Sequence, residues 1–206
     1  MDVDHHRSPC CAAFLPNRRS ILAGIVCAAV PPAASPLAQP VAREAAATGE
    51  DEGFMRMAIE EARQADFPFG AVIVRDKNVI ARGRNLGRTT DDPTAHGEMV
   101  AMRRALAEHG SRALRGATLY TSGEPCAMCM GAILWCEFGR LVYAASIEQL
   151  ATRLNQIMIA SVELRARAPF VAISITGGVL ADEAMRCSTI TSRFSRRARP
   201  GPSRRD

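Results

Sequence analysis

Pro125-Cys126-Ala127-Met128-Cys129, a proline followed by a Cys-x-x-Cys pair, comes after His96-Gly97-Glu98 in the chain, with Cys126 thirty positions beyond His96. Cysteines three apart at the start of a helix present both sulfur atoms on one face, and the positive end of the helix favours the thiolates that bind metals. One imidazole and two thiolates supply three corners of a zinc tetrahedron and leave the fourth open, as in catalytic sites. The spacing therefore predicts one zinc ion per subunit, held by His96, Cys126 and Cys129.

Glu98 stands two residues after the first of these predicted ligands. A carboxylate at that distance can take a proton from an activated water and deliver it to a leaving nitrogen. His-x-Glu followed by Pro-Cys-x-x-Cys is the pattern of zinc deaminases that act on nucleobases. Residues two apart on a regular helix point about 200° away from each other. We therefore predict Glu98 as the catalytic residue, with His96 at an irregular helix start so that both face one pocket.

A structural zinc site is the alternative to a catalytic one. It would need a fourth ligand, and the candidates in the body of the chain are His109, Cys136 and Cys187. Cys136 lies seven residues after Cys129 and so shares its helical face, although a small buried residue of the core is the simpler interpretation.

Apolar periodicity around these motifs predicts five strands interleaved with helices, an α/β sandwich around one sheet. The predicted helices cover about 51–65, 95–109, 126–136 and 148–167, and a last one begins at 181. The predicted strands cover 71–74, 79–84, 117–121, 141–145 and 171–175. In the second helix the predicted buried stripe is Met99, Met102 and Leu106.

Composition bounds the class of protein. The 206 residues, 48% of them hydrophobic and 23% charged, suffice for one domain with a buried core. No apolar run reaches the roughly 18–20 residues that cross a bilayer, so we expect no membrane span. The net charge of +5 lies at the ends: residues 193–206 carry +5, whereas residues 39–192, with 17 basic and 18 acidic residues, carry −1. We therefore expect no nucleic-acid partner and interpret residues 193–206 as a basic disordered tail.

The N-terminal part of the chain has the pattern of an export signal. The pair Arg18-Arg19 precedes the apolar stretch 21–30, and prolines and small residues follow. Such a sequence is typical of a secretory signal peptide. The two arginines resemble a twin-arginine signal, with a general secretory signal as the alternative. We predict a periplasmic or extracellular protein with a signal peptide over 1–38, a linker over 39–50 and a zinc domain over 51–192.

These motifs and the segments around them resemble the cytidine and deoxycytidylate deaminase superfamily over residues 54–184. The segments most similar to bacterial guanine deaminases and nucleoside deaminases are 68–74, 92–96, 119–122 and 131–135, whereas 178–183 is more similar to bacterial tRNA adenosine deaminases. The resemblance implies a homodimer and a three-layer α/β/α sandwich with a five-stranded mixed sheet. It also implies that Asn85, Phe69 and Trp135 bind the substrate.

Two departures from the family pattern bear on the substrate. Gly97 stands where most members have alanine. The guanine enzymes carry an aspartate that pairs with the 2-amino group of the base, whereas the matching stretch here, Asn155-Gln156-Ile157, has no carboxylate. The missing carboxylate argues against guanine itself and leaves the deamination chemistry unchanged. The resemblance as a whole predicts a zinc-dependent deaminase of a small nucleobase or nucleoside, with a guanine-type purine favoured. The alternatives are a tRNA adenosine deaminase, a cytosine deaminase and a non-catalytic zinc-stabilised domain that binds nucleic acid.

We predict that changing Arg18 and Arg19 to lysine blocks export of the full-length chain, because the arginine pair marks the twin-arginine route. Cell fractionation followed by immunoblotting measures the exported fraction. The same change at Arg196 and Arg197 in the tail is the matched control and leaves export unchanged. Export of the Arg18→Lys/Arg19→Lys variant at the wild-type level would show that the general secretory route is used instead.

Overall fold

The structure, a computed structural model, describes residues 47–187. The predicted signal peptide over 1–38, most of the linker over 39–50 and the tail over 193–206 lie outside these residues. The helices are α1 (Gly49–Arg63), α2 (Gly97–His109), α3 (Ala127–Trp135), α4 (Ile147–Ala151), α5 (Ser161–Ala166) and α6 (residues 181–187). The strands are β1 (Gly70–Arg75), β2 (Asn78–Arg84), β3 (Thr118–Gly123), β4 (Arg140–Ala145) and β5 (Ser174–Thr176). Within residues 47–187 every helix is too short or too polar to cross a membrane.

Helix α1 begins where side chains can pair the free N–H groups of its first turn. The Thr48 hydroxyl accepts a hydrogen bond from the Asp51 N–H at 3.3 Å, and the Asp51 carboxylate accepts one from the Thr48 N–H at 2.7 Å. This reciprocal capping box starts the helix two residues before the predicted position. The fully buried side chains of α1 recur at helical spacing; they are Met55, Ala58, Ile59 and Ala62.

The sheet is built outward from a hairpin. Its two-residue turn consists of Asp76 and Lys77, with φ of 48° and 64°, the left-handed values that match the twist of paired strands. β1 pairs antiparallel with both β2 and β3, while β3–β4 and β4–β5 pair parallel, in the order β2-β1-β3-β4-β5. The predicted five-stranded mixed sheet is confirmed. Because β1 alone runs in the opposite direction, the other four strands end at one edge, which we call the carboxyl edge.

Side chains on successive strand residues alternate between the two faces of the sheet. Val72 and Val142 pack with α1 on one face. Ile73 and Leu141 pack with α2 and α3 on the other face. Helices therefore cover both faces, which gives the three layers that the family resemblance implied.

Helix α2 approaches the sheet closely because Gly83 of β2 has no side chain. A Cβ atom at Gly83 would lie 2.3 Å from the backbone nitrogen of Ala101. This contact decides which side of α2 is buried: Ala101 and Met102 are inside, whereas Leu106 is 40% exposed. The prediction of Leu106 as a core residue is therefore wrong.

The predicted single helix over 148–167 is also wrong. The chain forms α4 and α5 there, and residues 152–160 between them belong to no helix or strand. Side chains cap both helices at the break. The Thr152 hydroxyl donates to a carbonyl of the preceding turn at 2.7 Å, and the buried carboxylate of Glu124 accepts from the Ser161 N–H at 2.8 Å. A helix that stops and starts again leaves unpaired backbone groups at the break. These two hydrogen bonds pair such groups at the end of α4 and at the start of α5.

A buried ion pair joins α1 to the sheet. The Asp51 carboxylate, 1% exposed, accepts from both terminal nitrogens of Arg140 at 2.7 and 3.0 Å and from the Tyr120 hydroxyl at 2.9 Å. Burial by itself raises the pKa of Asp51, but the Arg140 guanidinium and the bonds from Thr48 outweigh it and hold the pKa at about 2. A carboxyl with a lowered pKa stabilises the fold above its unfolded pKa, near 4. That stability is lost as the pH falls through about 2.

We expect Asp51→Asn to lower the free energy of unfolding by about 3 kcal/mol at pH 7, because Arg140 then loses the anion that balances its charge. The difference from wild type narrows below about pH 4, since acid removes the same charge from the wild-type protein. Urea unfolding at a series of pH values measures both effects. Glu52→Gln on the same helix removes an exposed pair with Arg56 and is the matched control, with an effect under about 0.5 kcal/mol. If the free energy of unfolding of Asp51→Asn differs from that of wild type by the same amount from pH 7 to pH 3, the ionised Asp51 carboxylate is not what stabilises the pair.

Candidate metal centre and substrate cavity

The helices that carry the predicted ligands begin at the carboxyl edge, α2 after β2 and α3 after β3. His96 is the N-cap residue of α2 and Cys126 that of α3, and both have extended backbones, with φ and ψ of −66° and 158° and of −62° and 167°. Neither side chain caps its own helix. His96 thus lies outside the regular helix, so that it and Glu98 line the same cavity.

The three predicted ligand atoms meet between the starts of these helices. His96 Nδ1 lies 3.7 Å from Cys126 Sγ and 3.6 Å from Cys129 Sγ, and all three atoms lie within 4.8 Å of one another. A tetrahedral zinc ion with ordinary bond lengths separates its nitrogen and sulfur ligands by about 3.5–3.8 Å. One nitrogen and two sulfurs at these separations fit zinc.

The three candidates for a fourth ligand lie elsewhere. His109 Nε2 is 3.1 Å from the carbonyl oxygen of Ile80, Cys187 is buried on the α1 face of the sheet, and Cys136 packs against the core on the other face. None of them belongs to the donor group found within residues 47–187. The described residues therefore supply three ligands, the number typical of a catalytic zinc site.

The protonation of the donors is set by their contacts with one another. The hydrogen bond from Cys129, with that from His96, lowers the pKa of Cys126 to about 4. The same bond to Cys126, together with burial, raises the pKa of the Cys129 thiol. The hydrogen bond to Cys126 also raises the pKa of His96. Zinc binds thiolates and neutral imidazole, so metal binding favours the deprotonated form of Cys129 and the neutral form of His96.

Glu98 lies beside the donors in the first turn of α2. Its side chain is 4% exposed, and Oε1 accepts a hydrogen bond from the Thr121 hydroxyl at 3.2 Å. Burial raises the pKa of Glu98. A carboxyl of raised pKa in a cavity is suited to accept and return a proton near neutral pH.

A cavity of about 890 Å³ opens in front of Glu98 and the donors, within the size range of small-ligand sites. Asn85 and Phe69, two of the residues predicted to bind the substrate, line it. The Asn85 side chain is fixed because its Oδ1 accepts from the Gly87 N–H at 3.0 Å. Its Nδ2 group donates to none of the described residues. That amide can therefore donate to an acceptor atom of a ligand in the cavity.

Trp135 is the one predicted substrate-binding residue that this chain does not bring to the cavity. It stands at the end of α3, is 77% exposed, and contacts the ring of Phe170 with 5.2 Å between the ring centroids. Trp135 lies at the far end of the nine-residue helix α3, which leads away from the donors. Its side chain is therefore outside the cavity of its own chain.

Sequence reasoning missed two buried residues next to the donors. Thr121 holds Glu98, and Glu124 lines the cavity immediately before the Pro-Cys-x-x-Cys motif. Thr121 lies in a predicted strand, where alternation indicates only which face it occupies. The available signal for Glu124 was its place directly before Pro125, next to a motif predicted to line a site. A charged residue that is buried at such a place needs a partner.

Comparison with known proteins identifies the family. Residues 48–145 match the cytidine and deoxycytidylate deaminase zinc-binding region. A tRNA-specific adenosine deaminase of Streptococcus pyogenes is 33% identical over 156 residues, which cover 73% of this chain and 92% of that protein. The chain belongs to the cytidine and deoxycytidylate deaminase family.

Within this deaminase family the chain is similar to proteins named for different substrates. Guanine deaminase of Bacillus subtilis is 51% identical over 78 residues, which cover 38% of this chain and 50% of that protein. A solved structure of the protein NE0047 in complex with 2,6-diaminopurine is 26% identical with a TM-score of 0.61, and the match covers 76% of this chain and 87% of that one. The chain spans half to under two thirds of the length of several curated relatives that it matches.

Proposed function

We propose that the chain is a zinc-dependent hydrolytic deaminase of a small nucleobase or nucleoside, with a guanine-type purine favoured. It replaces an exocyclic amine by a carbonyl and releases ammonia. The observation that carries this proposal is the buried Glu98 carboxylate beside three zinc donors in the wall of one cavity.

Glu98 moves the protons in the proposed reaction. Zinc, when bound by His96, Cys126 and Cys129, supplies an activated water as the nucleophile. Glu98 accepts a proton from the water, delivers it to the ring nitrogen, and passes the second proton to the departing amine. The ring amidine and water thereby become a carbonyl and ammonia, with no net change on Glu98.

Asn85 and Phe69 hold the base in this proposal. The free Nδ2 group of Asn85 donates to a ring nitrogen or carbonyl, and the Phe69 ring provides an apolar wall for the base. The position of the base then places the carbon that carries the amine next to Glu98. Orientation of this kind supplies much of the rate in reactions between bound groups.

The charge of the cavity favours a small substrate over tRNA. Among the described residues that line the cavity, Arg88 is the single arginine or lysine, and its guanidinium lies 4.7 Å above the Phe67 ring. Proteins that bind RNA backbones use many such cations. The export that we propose from residues 1–38 would also separate the protein from tRNA. A tRNA adenosine deaminase is nevertheless the second candidate, because the Streptococcus pyogenes relative aligns over 92% of its length.

We also propose a homodimer. Support comes from an apolar surface around α3 and α5 that this single chain leaves open, with Trp135 77% and Phe170 60% exposed. The other large exposed apolar residues of this part of the chain are Ile157, Met158 and Val162. Exposed apolar groups of this size in a soluble protein mark interaction sites.

The substrate is tested by ammonia release from guanine, adenine, cytosine, their nucleosides and a tRNA anticodon stem-loop, with the zinc-loaded protein. We expect release from a purine base or nucleoside and loss of activity on chelation. Glu98→Ala retains zinc but lowers kcat at least roughly 100-fold, because it removes the group that moves protons. Glu108→Ala on the exposed end of the same helix is the matched control and keeps full activity.

Three results would overturn parts of this proposal. Wild-type turnover by zinc-loaded Glu98→Ala would exclude the role of Glu98. Release from the stem-loop or from cytosine alone would establish one of the alternative substrates. Release from none of the compounds would favour a non-catalytic zinc-stabilised domain.

We expect the protein to be a dimer in light scattering at micromolar concentration, and Trp135→Glu to be a monomer, because the charge would be buried in the interface. Leu106→Glu places the same charge on an exposed site of α2 and leaves the dimer intact. A wild-type monomer, or a dimer of Trp135→Glu, would contradict an interface at α3 and α5.

A further inference from the structure

Glu124 is a buried carboxylate that the proposed reaction does not use. It is 5% exposed and directly precedes Pro125 in the zinc-binding motif. Its Oε2 accepts from the Ile147 N–H at 3.0 Å, and its Oε1 accepts from the Ser161 N–H at 2.8 Å. One side chain thus binds two backbone groups that are fourteen residues apart in the chain.

These two backbone groups define the ends of one segment. Ile147 is the first residue of α4 and Ser161 the first residue of α5, so neither N–H has a partner within its helix. Between α4 and α5 lie residues 152–160, which belong to no helix or strand. Four of them, Leu154 to Ile157, line the cavity. The backbone bonds of this segment are those of turns, such as that from the Leu154 N–H to the Leu150 carbonyl, and the Arg153 guanidinium donates to the Met185 carbonyl. The position of the wall therefore depends on these contacts and on how the starts of α4 and α5 are fixed.

We propose that Glu124 is a positioning residue for substrate binding: by holding the first residues of α4 and α5 it sets the position of the segment 147–161, which contains the cavity wall at residues 152–160. The effect on substrate binding rests on the proposed function, because it requires this wall to contact the substrate. Because Glu124 stands two residues before the Cys126 ligand, its two hydrogen bonds link the strand that leads to the donors with the segment that forms the wall.

The chemistry of the carboxylate makes the inference specific. An ionised carboxylate accepts on both oxygens, whereas a glutamine amide of the same shape accepts on its oxygen only. Glu124→Gln therefore keeps one of the two bonds and turns its NH₂ group toward the other N–H. The N–H that faces this NH₂ group is then buried without an acceptor, which is unfavourable. It bonds to water when the segment opens, so opening becomes easier than in the wild-type protein.

A second variant removes a donor and leaves Glu124 in place. Ser161→Pro deletes the N–H at the first position of α5, where proline is well tolerated. The preceding residue, Ala160, already has the extended backbone that proline requires, with φ of −66° and ψ of 148°. If Glu124 contacted the substrate directly and did not act through the segment, Ser161→Pro would leave substrate binding unchanged.

The experiment measures amide hydrogen exchange, zinc content and steady-state kinetics on the full zinc-loaded chain. We expect Glu124→Gln to speed exchange across residues 147–164 roughly tenfold, with zinc content and the exchange of α2 unchanged. KM for the base or nucleoside rises roughly tenfold, more than kcat falls. Ser161→Pro gives the same pattern, and the double variant adds little to either single variant. Glu163→Gln, an exposed carboxylate on α5, is the matched control without effect.

Several outcomes would overturn the inference. Unchanged exchange across residues 147–164 in both variants would show that Glu124 does not hold the segment. Fully additive effects would show that Glu124 and Ser161 act independently. Loss of zinc in Glu124→Gln, with Ser161→Pro normal, would assign Glu124 to the donor helix instead. The exchange measurement needs no substrate, so it separates failure of this inference from failure of the proposed deaminase activity.

Discussion

The candidate site depends on the close packing of α2 against the hairpin of β1 and β2. A Cβ at Gly83 would lie 2.3 Å from the backbone of α2, and one at Gly97 would lie 2.9 Å from the carbonyl oxygen that precedes β1. Strand β1 is held from its other face as well, since a Cβ at Gly70 would lie 2.3 Å from a backbone oxygen of α1. Close-packed backbones cannot shift without a clash. The first turn of α2 is thereby fixed on the sheet, in the position that brings His96 to the cysteines of α3.

The buried carboxylates of the fold differ in how their charge is balanced. Asp51 is paired with the Arg140 guanidinium, and Glu124 accepts from two backbone N–H groups. Glu98 accepts from the Thr121 hydroxyl and lies near the charge of His96, and burial outweighs the effect of both on its pKa. Burial raises the pKa of Glu98 above its ordinary value, whereas the Arg140 guanidinium and the Thr48 bonds hold the pKa of Asp51 below its ordinary value. Glu98 and Glu124 both line the cavity, and Glu98, whose pKa is raised, is the one suited to move protons there, whereas Asp51 holds α1 on the sheet.

The sequence allowed prediction of the donors and the sheet because both depend on local patterns. His-x-Glu, Cys-x-x-Cys and the alternation of apolar residues each involve residues that are close together in the sequence. The helix break within 148–167 was not visible, because Glu124 reaches the start of α5 across 37 positions of the chain. Leu106 was misplaced for a related reason, since a glycine on β2 decides which side of α2 is buried. Trp135 was assigned by family resemblance, and in this chain it lies on an exposed surface beside Phe170 and outside the cavity.

The zinc donors and part of the cavity wall lie on elements of different kinds. The donors stand at the starts of two helices packed on the sheet, whereas Asn155 and Gln156 line the cavity from a segment without helix or strand. Side-chain amides both donate and accept, so they can pair with groups that a carboxylate, which only accepts, would repel. A site that hydrogen-bonds one substrate group discriminates strongly against analogues that lack it. If the cavity binds a base as we propose, a change at Asn155 or Gln156 therefore alters the selected base while the geometry of the zinc donors stays the same.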